Sequence, residues 1–139
     1  MVSRKVTKLV GIFTMMLLFG ASSLYAHCEI PCGIYDDHMR IDMIKENIRT
    51  VEKSMNQISE LSKENPNNYN QLVRWIDNKE AHAIKIQEIV YQYFMTQRIK
   101  PADPQNMDAH KKYLNQLSLL HQMLVHAMKA KQTLDHSHI

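Results

Sequence analysis

The chain has 139 residues, 45% of them hydrophobic and 22% charged, a length that suits one domain. Its formal charge of +3 is too small to argue for nucleic acid as a partner. Only 3 glycines and 4 prolines occur, against many Met, Leu, Ile, Gln, Glu and Lys, and that balance favours helix over sheet.

Residues 1–26 read as a secretory signal peptide. Arg4, Lys5 and Lys8 form a basic start, "LVGIFTMMLLFG" is an apolar core, and "ASSLYA" is a cleavage region ending on Ala26. The apolar run is about 12 residues, where a membrane span needs about 20. The chain is therefore expected to be exported, periplasmic or secreted, with no stable membrane association after cleavage. Leu24 is not the small residue that cleavage prefers, so a cut after Ala21 stays open beside the one after Ala26. Cleavage after Ala26 makes His27 the first residue and removes three bases and no acids. Of 17 basic residues 14 then remain, equal to the 14 acidic ones, so the basic isoelectric point belongs to the leader.

Next comes a short knot, residues 27–35, "HCEIPCGIY", which holds both cysteines. Residues 36–139 follow as one helical domain. Asp36 and Asp37 are candidate caps for a first helix, whose apolar positions Ile41, Ile44, Ile48, Val51, Met55, Ile58 and Leu61 alternate in steps of three and four. "KENPNNYN" breaks that pattern as a loop. A second helix runs from Tyr69 or Asn70 to about Arg98, with Val73, Ile76, Ala83, Val90 and Phe94 on one face and Glu80 and Gln87 interrupting it. After "KPADPQN", Asp103 is the expected cap of a third helix, with Pro104 in its first position. Tyr113, Leu117, Leu120, Leu124, Ala127 and Leu134 continue its apolar face. The expected fold is all-α, an antiparallel up-and-down bundle with an N-terminal hook. The terminal His136 and His138 read first as a disordered tail, with weak metal binding as the lesser reading.

The chemistry is expected in the knot, and two readings of its cysteines stand. Two thiols in an exported protein commonly form a disulfide, although so short a loop would be stapled to little effect. Alternatively Cys28 and Cys32 are thiolate metal ligands. With His27 at the N-terminus, its amine, the Cys28 backbone nitrogen and the two sulfurs can define a plane, which suits a d⁸ ion such as Ni(II) better than tetrahedral zinc. The His27 imidazole can then act as an axial ligand.

"HCEIPCGIYDD" resembles the nickel-binding hook of nickel superoxide dismutase, whose pattern is His-Cys-x-x-Pro-Cys-Gly-x-Tyr; His27, Cys28, Pro31, Cys32, Gly33 and Tyr35 all match. "VRWIDNKEAHA", "YFMTQRIKPAD" and "LSLLHQMLVHAMKAKQT" resemble the bundle helices of that family's marine and cyanobacterial branch. The resemblance implies a nickel cofactor, superoxide as substrate, and turnover to dioxygen and hydrogen peroxide through Ni(II) and Ni(III). It implies His27, Cys28 and Cys32 as metal ligands and Tyr35 as a residue beside the metal's open face. It also implies a cis bond between Ile30 and Pro31, a four-helix bundle where three long helices are counted here, and a homohexamer. Asp42, in "RID", falls in the position of the family's carboxylate behind the histidine when one gap is allowed. His82 stands where some members have arginine, and Glu29 where acids or amides occur. An exported nickel- or copper-binding module without turnover is the alternative to an enzyme.

Overall fold

The computed structural model describes residues 36–139. Helix α1 spans Asp37–Leu61, and α2 spans Tyr69–Glu88 and runs on without a break as a π-helical segment, Ile89–Arg98. Helix α3 spans Met107–Gln132, and a single 3₁₀ turn, His136–His138, follows it. Among the described residues there is no strand. Short connections make the three helices antiparallel neighbours, and α2 is the central one, packed on α1 along one side and on α3 along the other. The expected all-α bundle is what the chain forms, with three long helices in the described part. None of these helices is long and apolar enough to cross a membrane.

Each helix starts on a polar cap. Asp36 accepts from the backbone N–H of His38 at 2.8 Å, as expected for α1. Asn68 accepts from Gln71 N–H at 3.3 Å. Helix α3 begins later than Asp103. The Asp103 carboxylate instead closes a turn by accepting from Gln105 N–H at 2.9 Å, and Pro104 lies in that turn. The cap is Asn106, which accepts from Ala109 N–H at 3.3 Å, and Asp108 in the first turn complements the helix dipole.

The core comprises Ile44, Val51 and Met55 of α1, Ala83 and Ile86 of α2, Ile89 and Val90 of the π-helical segment, and Ala127 and Ala130 of α3. The two alanines bring the α3 backbone close to α2 at this level. The expected apolar face of α2 is only half right, because Val73 and Ile76 are exposed. Helix α3 runs antiparallel to α2 and ends beside Lys79, so the first turns of α2 project beyond it and have α1 alone to pack on. For a similar reason Leu134, past the end of α3, is exposed rather than part of its apolar face.

Lys79 explains where α3 stops. Only 4% of it is exposed, and its ammonium donates to the Ala130 carbonyl at 2.8 Å, to the Lys131 carbonyl, and to the Thr133 carbonyl at 3.5 Å. The last carbonyls of a helix have no partners within it and carry its negative dipole end, so a buried cation there satisfies both. Burial pulls the Lys79 amine below its ordinary range, and Glu80, 3.7 Å away, opposes that shift. Lys131 reaches the same carboxylate at 3.9 Å, so one acid serves two ammonium groups where α2 and α3 meet.

Lys79→Met keeps the aliphatic stem but leaves these carbonyls without their donor. It is expected to cost about 1–3 kcal/mol of stability, measured by denaturant unfolding, with the far-UV helical signal of the native state nearly unchanged. Unchanged stability would show that the ammonium does not hold the end of α3.

Candidate metal centre

The expected ligands His27, Cys28 and Cys32, together with Glu29, the bond between Ile30 and Pro31, and Tyr35, lie outside the described residues. What the structure does show is the platform from which that segment departs. Residue 35 is followed at once by the cap of α1, so the placing of the hook begins with the first turn of that helix.

The first turn is tied down across the bundle. Tyr93, buried in the π-helical segment, donates its hydroxyl to the Asp37 carboxylate at 2.5 Å. Arg98 Nε donates to the same carboxylate oxygen at 2.7 Å, and Arg98 Nη2 donates to the Tyr93 hydroxyl at 2.6 Å. The three groups close a triangle in which the phenol gives its proton to the carboxylate and accepts from the guanidinium. Charge also gathers on the Tyr93 ring: the guanidinium of Arg98 lies 4.9 Å from its centroid and that of Arg40 5.2 Å. The Tyr93 hydrogen bond, with help from Arg98, holds the Asp37 carboxyl below its usual range. Burial and the Asp37 hydrogen bond push the Tyr93 phenol up, so it stays a neutral donor at neutral pH.

The backbone makes this triangle possible. Between Ile89 and Arg98 the helix widens to i→i+5 hydrogen bonding, seen at its end where Ile99 N–H donates to the Phe94 carbonyl at 3.0 Å. Side chains follow the same spacing: Thr96 Oγ1 donates to the Tyr91 carbonyl at 2.7 Å and Gln97 Nε2 to the Gln92 carbonyl at 3.3 Å. Tyr93 and Arg98 are themselves five apart and therefore share a face. Asp37 was legible only as a cap, and the parts played by Tyr93 and Arg98 were missed, because five-residue spacing is not a signal in an α-helical pattern.

Asp42 and His82 have other partners and do not meet each other. The Asp42 side chain is 73% exposed and pairs with Lys45 at 3.4 Å along the outer face of α1. His82, on α2, faces Asn47 of α1, with 2.6 Å between its Nδ1 and Asn47 Oδ1. Asn47 Nδ2 is committed to the Met43 carbonyl at 2.7 Å, so its oxygen is the acceptor and His82 Nδ1 carries the proton. Burial, followed by Lys85, lowers the His82 pKa and keeps the ring neutral at pH 7. Among the described residues no group of three His, Cys, Asp or Glu side chains is arranged to hold a metal ion.

Comparison with curated proteins and with solved structures gave no match. A family model does match, over residues 22–139, which takes in the hook segment and the whole of the bundle. The chain therefore belongs to the nickel-containing superoxide dismutases, and is an oxidoreductase that uses nickel to dismutate superoxide.

Proposed function

We propose that the nickel of this enzyme is held by residues 27–35, and that the chain is made as a precursor whose leader, residues 1–26, is removed on export. The observation that carries this reading is the run "HCEIPCGIY" set directly before the cap of α1, at the end of the bundle that Asp37, Tyr93 and Arg98 lock. The family match begins at residue 22, so the apolar leader core lies before it, in keeping with a removable segment.

The donor set fits the metal. Cys28 and Cys32 offer two thiolates, and the Cys28 backbone nitrogen, when deprotonated, offers an anionic amide. Freed by cleavage, His27 adds its amine and its imidazole. Anionic sulfur and nitrogen donors stabilise the higher oxidation state of a metal, which is the requirement for nickel to work at an accessible potential. When bound, nickel would supply the one-electron exchange by which two superoxide ions and two protons become dioxygen and hydrogen peroxide. The chain's own residues set the conditions for that exchange. Pro31 restricts φ and Gly33 permits a positive one, which would help a short segment bring its second thiol back toward the first. Tyr35, the last residue of the motif, would offer a hydroxyl to orient a small anion at the metal. Asp37, bonded to Tyr93 and Arg98, fixes the helix from which the hook springs.

Assembly into a homohexamer is part of the same proposal. It is supported by the large apolar side chains left outside the core, among them Ile76, Ile84, Leu114 and Leu119, the last two more than half exposed.

Four outcomes test this reading. Intact-mass analysis of the active enzyme should show a chain that starts at His27; an active chain starting at Ser22 would remove the amine from the ligand set. Cys28→Ser or Cys32→Ser should abolish dismutation with far-UV helicity nearly intact, and His27→Ala should retain nickel but lose most turnover together with the axial-nitrogen splitting of the Ni(III) electron-paramagnetic signal. Wild-type turnover in any of these would refute the assignment. Tyr93→Phe, which removes the hydroxyl shared by Asp37 and Arg98, is expected to lower turnover severalfold at unchanged nickel content, read by stopped-flow superoxide decay, and an unchanged rate would show that the triangle does not set the hook.

A further inference from the structure

The tail of the chain is an ordered element of the fold. After Thr133 the backbone turns at Asp135, whose carboxylate accepts from Ser137 N–H at 2.9 Å, and the 3₁₀ turn His136–His138 lays the tail back along α3. Ser137, His138 and Ile139 thereby line one end of a cavity of about 350 Å³ whose other walls are mainly apolar, from Val51 of α1 to Met123 of α3. The imidazole of His138 faces that of His126, on α3, with 5.6 Å between ring centroids and the planes tilted 64° apart.

The polar atoms of His138 are unevenly satisfied. Its Nε2 lies 3.9 Å from the Asp135 carboxylate, and its side chain is only 17% exposed. Its Nδ1 is buried and has no hydrogen-bond partner. A buried nitrogen without a partner is costly, and nothing in the core of the bundle needs one here. A histidine with one nitrogen near a carboxylate and the other without a partner, set beside a second imidazole, has the makings of a metal ligand with its orienting partner. The spacing also fits. Imidazole nitrogens at about 2.0–2.1 Å from a shared ion place their ring centroids roughly 5–6 Å apart at tetrahedral or wider angles.

We propose that His126 and His138 form a second metal site, separate from the hook, which binds a divalent first-row transition ion such as zinc through two imidazole nitrogens, with Asp135 orienting His138. Water completes the coordination, since no third His, Cys, Asp or Glu side chain is placed to join the pair among the described residues. Imidazole pairs suit zinc, copper and nickel rather than calcium or magnesium. The ion would bridge residue 126 and residue 138, pinning the tail to α3 and closing one end of the cavity. The site shares no residue with the proposed hook, so its test is independent of the assignment there.

The experiment is zinc titration of the nickel-loaded enzyme by calorimetry, with nickel content measured before and after. One zinc per chain should bind with no loss of nickel, and the thermal midpoint should rise with zinc concentration. His126→Ala and His138→Ala should each weaken zinc binding at least tenfold and abolish the thermal effect. Asp135→Asn should weaken binding severalfold, and His121→Ala, an exposed histidine elsewhere on α3, should leave it unchanged. Far-UV melts without zinc establish that each variant is folded. Absence of zinc binding in the wild-type enzyme, zinc uptake matched by nickel loss, or full binding in both His126→Ala and His138→Ala would each overturn the proposal.

Discussion

Helix α2 holds its two neighbours by polar contacts at opposite ends of one buried face, and the rest of the bundle depends on that pair of contacts. Near one end the Lys79 ammonium enters the last turn of α3 and takes up its free carbonyls. At the other, past Glu88, the Tyr93 hydroxyl and the Arg98 guanidinium converge on Asp37 in the first turn of α1. Between them Ala83, Ile86, Ile89 and Val90 supply apolar burial but little direction, while His82 meets Asn47 of α1 at 2.6 Å and Gln87 donates to the Leu124 carbonyl of α3 at 3.3 Å. Apolar contact between antiparallel helices tolerates sliding and rotation. Hydrogen bonds from a buried cation or phenol do not, because any shift leaves a desolvated polar group without its partner. The polar contacts, at the two ends and at His82 and Gln87 between them, therefore fix register, and the apolar core supplies cohesion.

This division bears on the chemistry. A hook of nine residues is too short to carry its own core, so its stance must come from what it is attached to. The attachment point is the first turn of α1, the least secure part of any helix, where backbone N–H groups lack internal partners. Asp36 satisfies one of them, and Asp37 binds the turn to the π-helical segment. Ligand chemistry and positioning are thus assigned to different stretches of the chain. In the proposed scheme the hook would contribute donors, and residues some sixty positions later contribute rigidity to the helix it is attached to.

That separation also explains what the sequence could tell. The family is legible because a chelating motif is a local property, written in the nine consecutive residues "HCEIPCGIY". The α1 stripe from Ile44 to Ile58 is legible because periodicity reports a face that a neighbour covers along its whole length. Val73 and Ile76 have the same periodicity and are exposed, since periodicity cannot say where the neighbouring helix ends. Asp103 and Asn106 are both good caps in the same loop, and the choice fell to the one with an acidic first turn behind it. Lys79 reads as an ordinary charged residue on a helix, because burial of its amine depends on carbonyls about fifty residues away. Asp42 and His82 were placed by resemblance, and the structure gives them Lys45 and Asn47.

The π-helical segment is the least legible feature, and its geometry shows why it is there. In an α-helix, residues five apart are separated by about 140° around the axis, so Arg98 would point well away from the face that carries Tyr93. A buried tyrosine hydroxyl beside an aspartate would then lack the cation that completes its bonding, and the carboxylate would be stabilised by the phenol alone. Widening the helix brings residues five apart much nearer to one face, and Arg98 comes to 2.6 Å from the Tyr93 hydroxyl. The cost is weaker packing along the segment's own axis, and it is met where the chain is about to end the helix in any case, at Ile99. A regular helix would be the better local choice for "IVYQYFMTQR". The widened one prevails because it converts a tyrosine and an arginine that local propensity treats as unrelated into the two arms that hold Asp37.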